Sequence, residues 1–175
     1  AGTCTGTAFT VSVYVKPVPS INNMSATVCS GNSFTVTPVN TTNGIVPAGT
    51  TYSWTAPVVA GITGTADGNN ANDISGTLTN NTNATISVAY IVTPSAGGCP
   101  GDTFTVTVTV NPTPAVNNFT TTICSGAAFL ITPVNGTDGV IPAGTTYSWP
   151  SPNVPEITGE AAGTNLTGIG DTLTN

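Results

Sequence analysis

The chain has 175 residues, enough for one or two domains, and a formal net charge of −6 set by seven carboxylates, one lysine and no histidine. Only 5% of residues are charged against 38% hydrophobic, so the chain is neither a charge-rich disordered tail nor a basic nucleic-acid binder. No apolar run approaches the roughly 18 residues of a membrane helix, so direct membrane insertion is not expected. The 36 threonines, 18 asparagines, 20 glycines and 14 prolines favour strands and turns over helices.

In chain order, Phe9 to Val15 alternates apolar and polar side chains and reads as a strand with one core face and one wet face. Pro17-Val18-Pro19 cannot extend a ladder and predicts a short, stiff linker. After Cys29-Ser30-Gly31 comes a second strand, Phe34 to Thr37, and then a third, Thr51 to Trp54. From Gly61 to Asn80 the bulky apolar residues thin out to Ile62, Ile74 and Leu78, which predicts short strands separated by loops. Ala84 to Val92 and Phe104 to Val110 read as the last two strands, closed by Pro112-Thr113-Pro114.

The chain then repeats itself. Residues 1–80 align with 96–175 without a gap, at an offset of 95, with 45 identities in 80 positions. Phe129 to Thr132 and Thr146 to Trp149 are thus copies of the second and third strands. A period of 95 is too long for a solenoid and matches an immunoglobulin-like sandwich of about 100 residues. The expected organisation is all-β: residues 1–16 as the last strand of one repeat, 17–111 as a complete β-sandwich, and 112–175 as an incomplete one. The incomplete repeat lacks its last two strands because Asn81 to Ser95 has no second copy, which reads as a window on a longer tandem array. Trp54, Trp149, Tyr52, Tyr147, Phe34 and Phe129 are the expected core aromatics.

Val28-Cys29-Ser30-Gly31-Asn32-Ser33-Phe34-Thr35-Val36-Thr37, Tyr52-Ser53-Trp54, Gly97-Gly98-Cys99 and the run from Thr105 to Pro114 resemble the tandem PKD-like repeats of very large Bacteroidota surface proteins. These include gliding-motility adhesins exported by the type IX route. The resemblance covers essentially the whole chain and implies an immunoglobulin-like fold and a stalk, adhesive or filament-forming role. The chain departs from the best-known PKD domains after Tyr52-Ser53, where Trp54 is followed by Thr55-Ala56-Pro57 instead of a Trp-Asp-Phe-Gly-Asp run.

Catalysis finds few candidates. Without histidine no Ser-His-Asp or Cys-His arrangement can be assembled, and Lys16 is the sole amine side chain. The repeat tests the carboxylates: Asp67, Asp73, Asp102, Asp138, Asp171, Glu156 and Glu160 all align with non-acidic residues, so none recurs. Cys, Trp, Tyr, Phe, Gly and Pro are the residue types that persist, which marks selection for folding. No catalytic residue, metal site or cofactor is expected. The cluster from Asp67 to Asp73 resembles a calcium loop only loosely and reads as a solvated turn. Cys4, Cys29, Cys99 and Cys124 lack the close Cys-x2-4-Cys pairs of structural zinc.

Four cysteines in this composition point to an oxidising, extracellular setting and to disulfides. Their pairing is open on the residues alone. Cys29 and Cys99 fall at turns that an ordinary sandwich puts at opposite ends, roughly 27 Å apart, against the roughly 4.4 to 6.8 Å that a bridge permits between Cα atoms. An irregular first strand would allow Cys29 to Cys99, bridges between neighbouring domains are a second choice, and Cys4–Cys29 with Cys99–Cys124 is a third. The family resemblance favours pairing within a domain. Asp102-Thr103-Phe104 and Asp171-Thr172-Leu173 look like the Asp-Ser/Thr-apolar sites of Bacteroidota O-glycosylation, which implies glycans on Thr103 and Thr172.

The expected function is a structural repeat segment of a long extracellular surface protein. Its partners are neighbouring repeats and, through threonine-rich strand edges with few charged gatekeepers, laterally associated copies. The alternative is a glycan-binding module of a secreted enzyme, with Tyr52, Trp54 or Tyr90 as a stacking surface for surface glycans. Exposed, coplanar aromatics would mark the binder and buried ones the spacer.

Overall fold

The computed structural model describes Gly2, Cys4 and residues 6–175, and no helix forms among them. Residues 20–111 fold into twelve strands: β1 (Ser20–Ile21), β2 (Met24–Cys29), β3 (Ser33–Val36), β4 (Gly44–Ile45), β5 (Thr50–Trp54), β6 (Ile62–Thr63), β7 (Gly68–Ala71), β8 (Ile74–Thr77), β9 (Thr79–Asn80), β10 (Ile86–Ala96), β11 (Cys99–Pro100) and β12 (Phe104–Asn111). The main sheet runs β2-β12-β10-β5-β7, with β11 folded back on β10. The β3–β8 and β6–β9 pairs supply the opposing layer, and β1 and β4 form a further two-stranded sheet. The result is an all-β sandwich.

Sequence periodicity builds its centre. In β12 Phe104, Val106, Val108 and Val110 are buried while the intervening threonines are only partly so, as the period of two requires. Val88, Tyr90 and Val92 of β10 point to the same core, against Phe34, Val36, Ile74 and Leu78 from the other layer. Burying each such side chain contributes about 1.5–3 kcal/mol. The β10–β12 hairpin therefore supplies seven buried apolar side chains at the middle of the core.

β10 extends beyond the predicted Ala84–Val92. It pairs antiparallel with β12 from Ile86 to Val92, then leaves that strand and pairs with β5 from Thr93 to Ala96. Pro94 lies between the end of the β12 ladder at Val92 and the start of the β11 ladder at Ser95, so at this position only β5 pairs with the strand and a residue without an N–H is tolerated. β2 pairs parallel with β12, from Met24↔Val106 to Cys29↔Asn111.

Elements recur at the offset of 95. β13 (Ala115–Val116), β14 (Ala128–Ile131), β15 (Gly139–Val140), β16 (Tyr147–Trp149), β17 (Gly163–Leu166) and β18 (Ile169–Thr172) stand where β1, β3, β4, β5, β7 and β8 stand in the first repeat. Their pairings recur too: β13–β15, β14–β18 and β16–β17. Residues 119–124, the counterpart of β2, form no strand, because no described residues lie beside them as β12 lies beside β2.

Phe9 to Val15, expected as the last strand of a preceding repeat, lies in no ladder among the described residues. Two expectations need correction. The third strand expected at Thr51–Trp54 is β5, because β1 and β4 are two-residue strands too short to show a pattern. The Pro-x-Pro stretch is not simply a linker: Pro19 is fully buried, with Gly101 packed against its carbonyl.

Candidate functional site

The aromatic cluster is the strongest sequence candidate for a binding surface. In the first repeat it lies inside the sandwich. Phe34 and Tyr90 are 5.6 Å apart, Trp54 stands edge-on to Tyr90 at 6.3 Å, and Tyr52 is edge-on to Phe104 at 6.1 Å. Tyr52 and Tyr90 are each 2% exposed, and burial raises both phenol pKa values above their usual 10.0. The Trp54 Nε1–H donates to the Ala66 carbonyl at 2.9 Å, which satisfies its polar edge. Nothing here is free to stack on a sugar, which removes the support for the glycan-binding alternative in Tyr52, Trp54 and Tyr90. In the second repeat Trp149 keeps the matching bond to Ala161 at 3.0 Å, but Trp149, Tyr147 and Phe129 are only partly buried.

Gly68 does not stand out among the 20 glycines of the chain. A Cβ there would collide with the Trp54 ring, and Gly163 lies under Trp149 in the same way. Their recurrence at the offset of 95 was the available signal. Asn80 was also missed. It is the one buried polar side chain among the described residues, and it donates from Nδ2 to Val110 O at 2.9 Å and Ala84 O at 2.8 Å. Its Oδ1 accepts from the Thr82 N–H, and its own N–H donates to Ser30 Oγ at 2.9 Å. This hub binds the β2–β3 turn to the end of β12. Asn175 repeats the Ser30 bond with Ser125, at 3.0 Å.

Next to the hub the two repeats meet. Thr113 Oγ1 donates to Ser30 O at 3.2 Å, and Asn135 Nδ2 of the second repeat donates to Asn83 O of the first at 3.2 Å. The junction is thus small and polar.

All four cysteines are free thiols: Cys4, Cys29 and Cys124 are exposed, and Cys99 is partly buried. The pairing favoured within a domain does not form. β2 is a regular strand in register with β12, so the irregularity that would bring Cys29 to Cys99 is absent. Cys29 is the ladder partner of Asn111, whereas Cys99 lies beyond Phe104 at the other end of β12, a strand of roughly 23 Å. Cys99 and Cys124 are likewise unpaired.

Among the described residues no three Cys, Asp or Glu side chains converge on a metal-sized space. The expected Asp67–Asp73 turn contains β7, an edge strand paired with β5. Asp67 Oδ1 accepts from Ala56 N–H at 2.6 Å and Asp73 Oδ1 from Ser75 Oγ at 2.8 Å, so both carboxylates fasten local backbone and side chains. Thr103 and Thr172 are both exposed.

With the sandwich and its filled core established, comparison with known families becomes informative. The PKD-like domain model matches residues 26–114. The chain belongs to the PKD-like domain family. No match is found among curated proteins. PKD-like domains are structural modules of the immunoglobulin-like class, commonly extracellular and typically non-catalytic. No helix among the described residues is long and apolar enough to cross a membrane.

Proposed function

We propose that this chain is a spacer segment of a long extracellular surface protein, in which PKD-like sandwiches follow one another as a stalk, adhesin or filament-forming fibre. The supporting observation is what the repeats share. Residues kept at the offset of 95 are the core aromatics, the glycine beneath each Trp and the Pro-rich ends, whereas none of the seven acids is kept. A module kept for its core and its ends transmits position and force; it does not turn over a substrate. The polar contact between Thr113 and Ser30 and that between Asn135 and Asn83 support joining in series.

The resemblance to gliding-motility adhesins of Bacteroidota supports a cell-surface setting for this spacer. On the same reading Thr103 and Thr172, both exposed, carry O-glycans; an intact mass equal to that of the bare polypeptide would reject this. Electron microscopy of the native particle tests the main reading. A regular beaded thread is expected, and discrete globules with polysaccharide affinity would contradict it.

A further inference from the structure

Asn43 and Asn135 each precede a glycine, and the fold treats them in opposite ways. A glycine leaves its own nitrogen unshielded, which opens the preceding asparagine to attack on its side-chain amide. At Gly44 the backbone requires glycine: φ is 113°, and a Cβ would strike the Ser20 carbonyl oxygen. Asn43 is partly exposed, and its Oδ1 accepts from the Val39 N–H at 2.9 Å. Its own N–H donates to Val39 O at 2.9 Å, and its carbonyl accepts from the Asn22 N–H at 2.9 Å. At the offset of 95 the same place is held by Asp138, followed by Gly139. Its Oδ2 accepts from the Val134 N–H at 2.8 Å, its N–H donates to Val134 O at 2.9 Å, and its carbonyl accepts from the Asn117 N–H at 2.8 Å. One loop therefore holds an amide in the first repeat and a carboxylate in the second through the same set of bonds.

We propose that Asn43 is a site of spontaneous, enzyme-free conversion to aspartate in the folded protein. The Gly44 nitrogen gives its proton to solvent base and bonds to Cγ of Asn43; the Cγ–Nδ2 bond breaks and ammonia leaves. Water then adds to Cγ of the resulting ring, and the ring nitrogen takes back a proton as the Gly44 amide. Two features of the loop favour the first step. The Val39 N–H faces Oδ1, where negative charge develops during the attack. The Asn22–Asn43 pair is hydrogen-bonded, so by antiparallel alternation the next pair, Ile21↔Gly44, is not, and the Gly44 N–H points away from β1. The outcome is also set by the loop. Aspartate reproduces the bonds of Asp138, whereas isoaspartate adds a backbone carbon and would displace Gly44 from Ile21 and from the Thr41 N–H.

Asn135 is protected by the same measures. The Gly136 N–H is committed to Gly139 O at 2.9 Å, so the attacking nitrogen is held inside its turn. Both ends of the Asn135 amide are engaged: Oδ1 accepts from the Ile141 N–H at 2.8 Å, and Nδ2 donates to Asn83 O at 3.2 Å. A carboxylate at 135 would set an oxygen against the Asn83 carbonyl and lose the contact between repeats. The reaction therefore spares the junction and adds one carboxylate to the seven of the chain, on the first repeat alone. It concerns one loop, and its failure would leave the spacer reading standing.

Peptide mapping of the whole folded chain tests it. The chain, with thiols kept reduced, is held in mildly alkaline buffer and sampled over days by tandem mass spectrometry that separates aspartate from isoaspartate. The same chain in concentrated urea shows what the two dipeptides do without the fold. In the folded chain Asn43 should convert at least about tenfold faster than Asn135, with aspartate as the main product. In urea that preference should vanish. Asn43→Asp should leave the denaturant midpoint where the wild type has it. An Asn43 that keeps its amide in the folded chain while the chain in urea converts would overturn the inference, as would equal rates at the two sites in the folded chain. The same preference in urea would also overturn it, by placing the cause in the neighbouring residues, and so would a lowered midpoint for Asn43→Asp.

Discussion

The two repeats share 45 of 80 aligned residues and differ sharply in burial. In the first, Phe34, Trp54, Ile62, Ile74 and Leu78 form a closed core; in the second, Phe129, Trp149, Ile157, Ile169 and Leu173 sit partly exposed around an open cavity. The same side chains on the same strands do not make the same core. What separates them is the β10–β12 hairpin, which brings Tyr90 against both Phe34 and Trp54 and gives β2 its ladder. A sandwich is closed by its central strands, and the aromatic residues seal it only when those strands are in place.

That contrast is breakable by substitution. Trp54→Ala should cost the first repeat about 3–5 kcal/mol, as truncation of a packed aromatic does, whereas Trp149→Ala should cost less than half as much. Denaturant unfolding followed by amide signals of each repeat would show it; equal losses would mean that the second core is as closed as the first. Gly68→Ala forces a methyl group into the Trp54 ring and should cost about 1–3 kcal/mol, with Gly163→Ala smaller because Trp149 has room to move. Asn80→Ala strips the Val110 and Ala84 carbonyls of their donor, an expected loss of about 1–3 kcal/mol, while Asn175→Ala should change little because the Asn175 bonds to Ser125 are made by its backbone.

The smallest effect is on pH dependence. Burial raises the Tyr52 and Tyr90 phenols above 10.0 in the folded state, so the unfolded chain loses these protons first as pH rises. Stability from the neutral phenols is complete below about pH 10 and falls as pH climbs from there through the folded values. Thermal melts of the wild type against Tyr52→Phe and Tyr90→Phe should show the alkaline loss reduced in each variant. An unchanged alkaline profile would place both hydroxyls in water.

Much of this was legible in the residues. Alternation in Phe104–Val110 gave both the strand and its buried face, and the offset of 95 gave the second set of elements before any coordinate. Other features were hidden for physical reasons. Pro94 argued against extending β10, and only the change of partner from β12 to β5 explains its place. Phe9–Val15 has the pattern of a strand, but a pattern forms a ladder only when a neighbour supplies hydrogen bonds. Asn80 looked like any residue of an Asn-rich chain, because its role depends on carbonyls that lie 4 and 30 positions away. The cysteine spacing could not say that a regular β2 would hold Cys29 and Cys99 apart.

Amide hydrogen exchange of residues 24–29 against residues 119–124 tests the central claim most directly. In the 175-residue chain by itself the account predicts protection of 24–29 close to that of global unfolding, and exchange at 119–124 near the rate of unstructured chain. Equal, strong protection of both segments in that chain would contradict it.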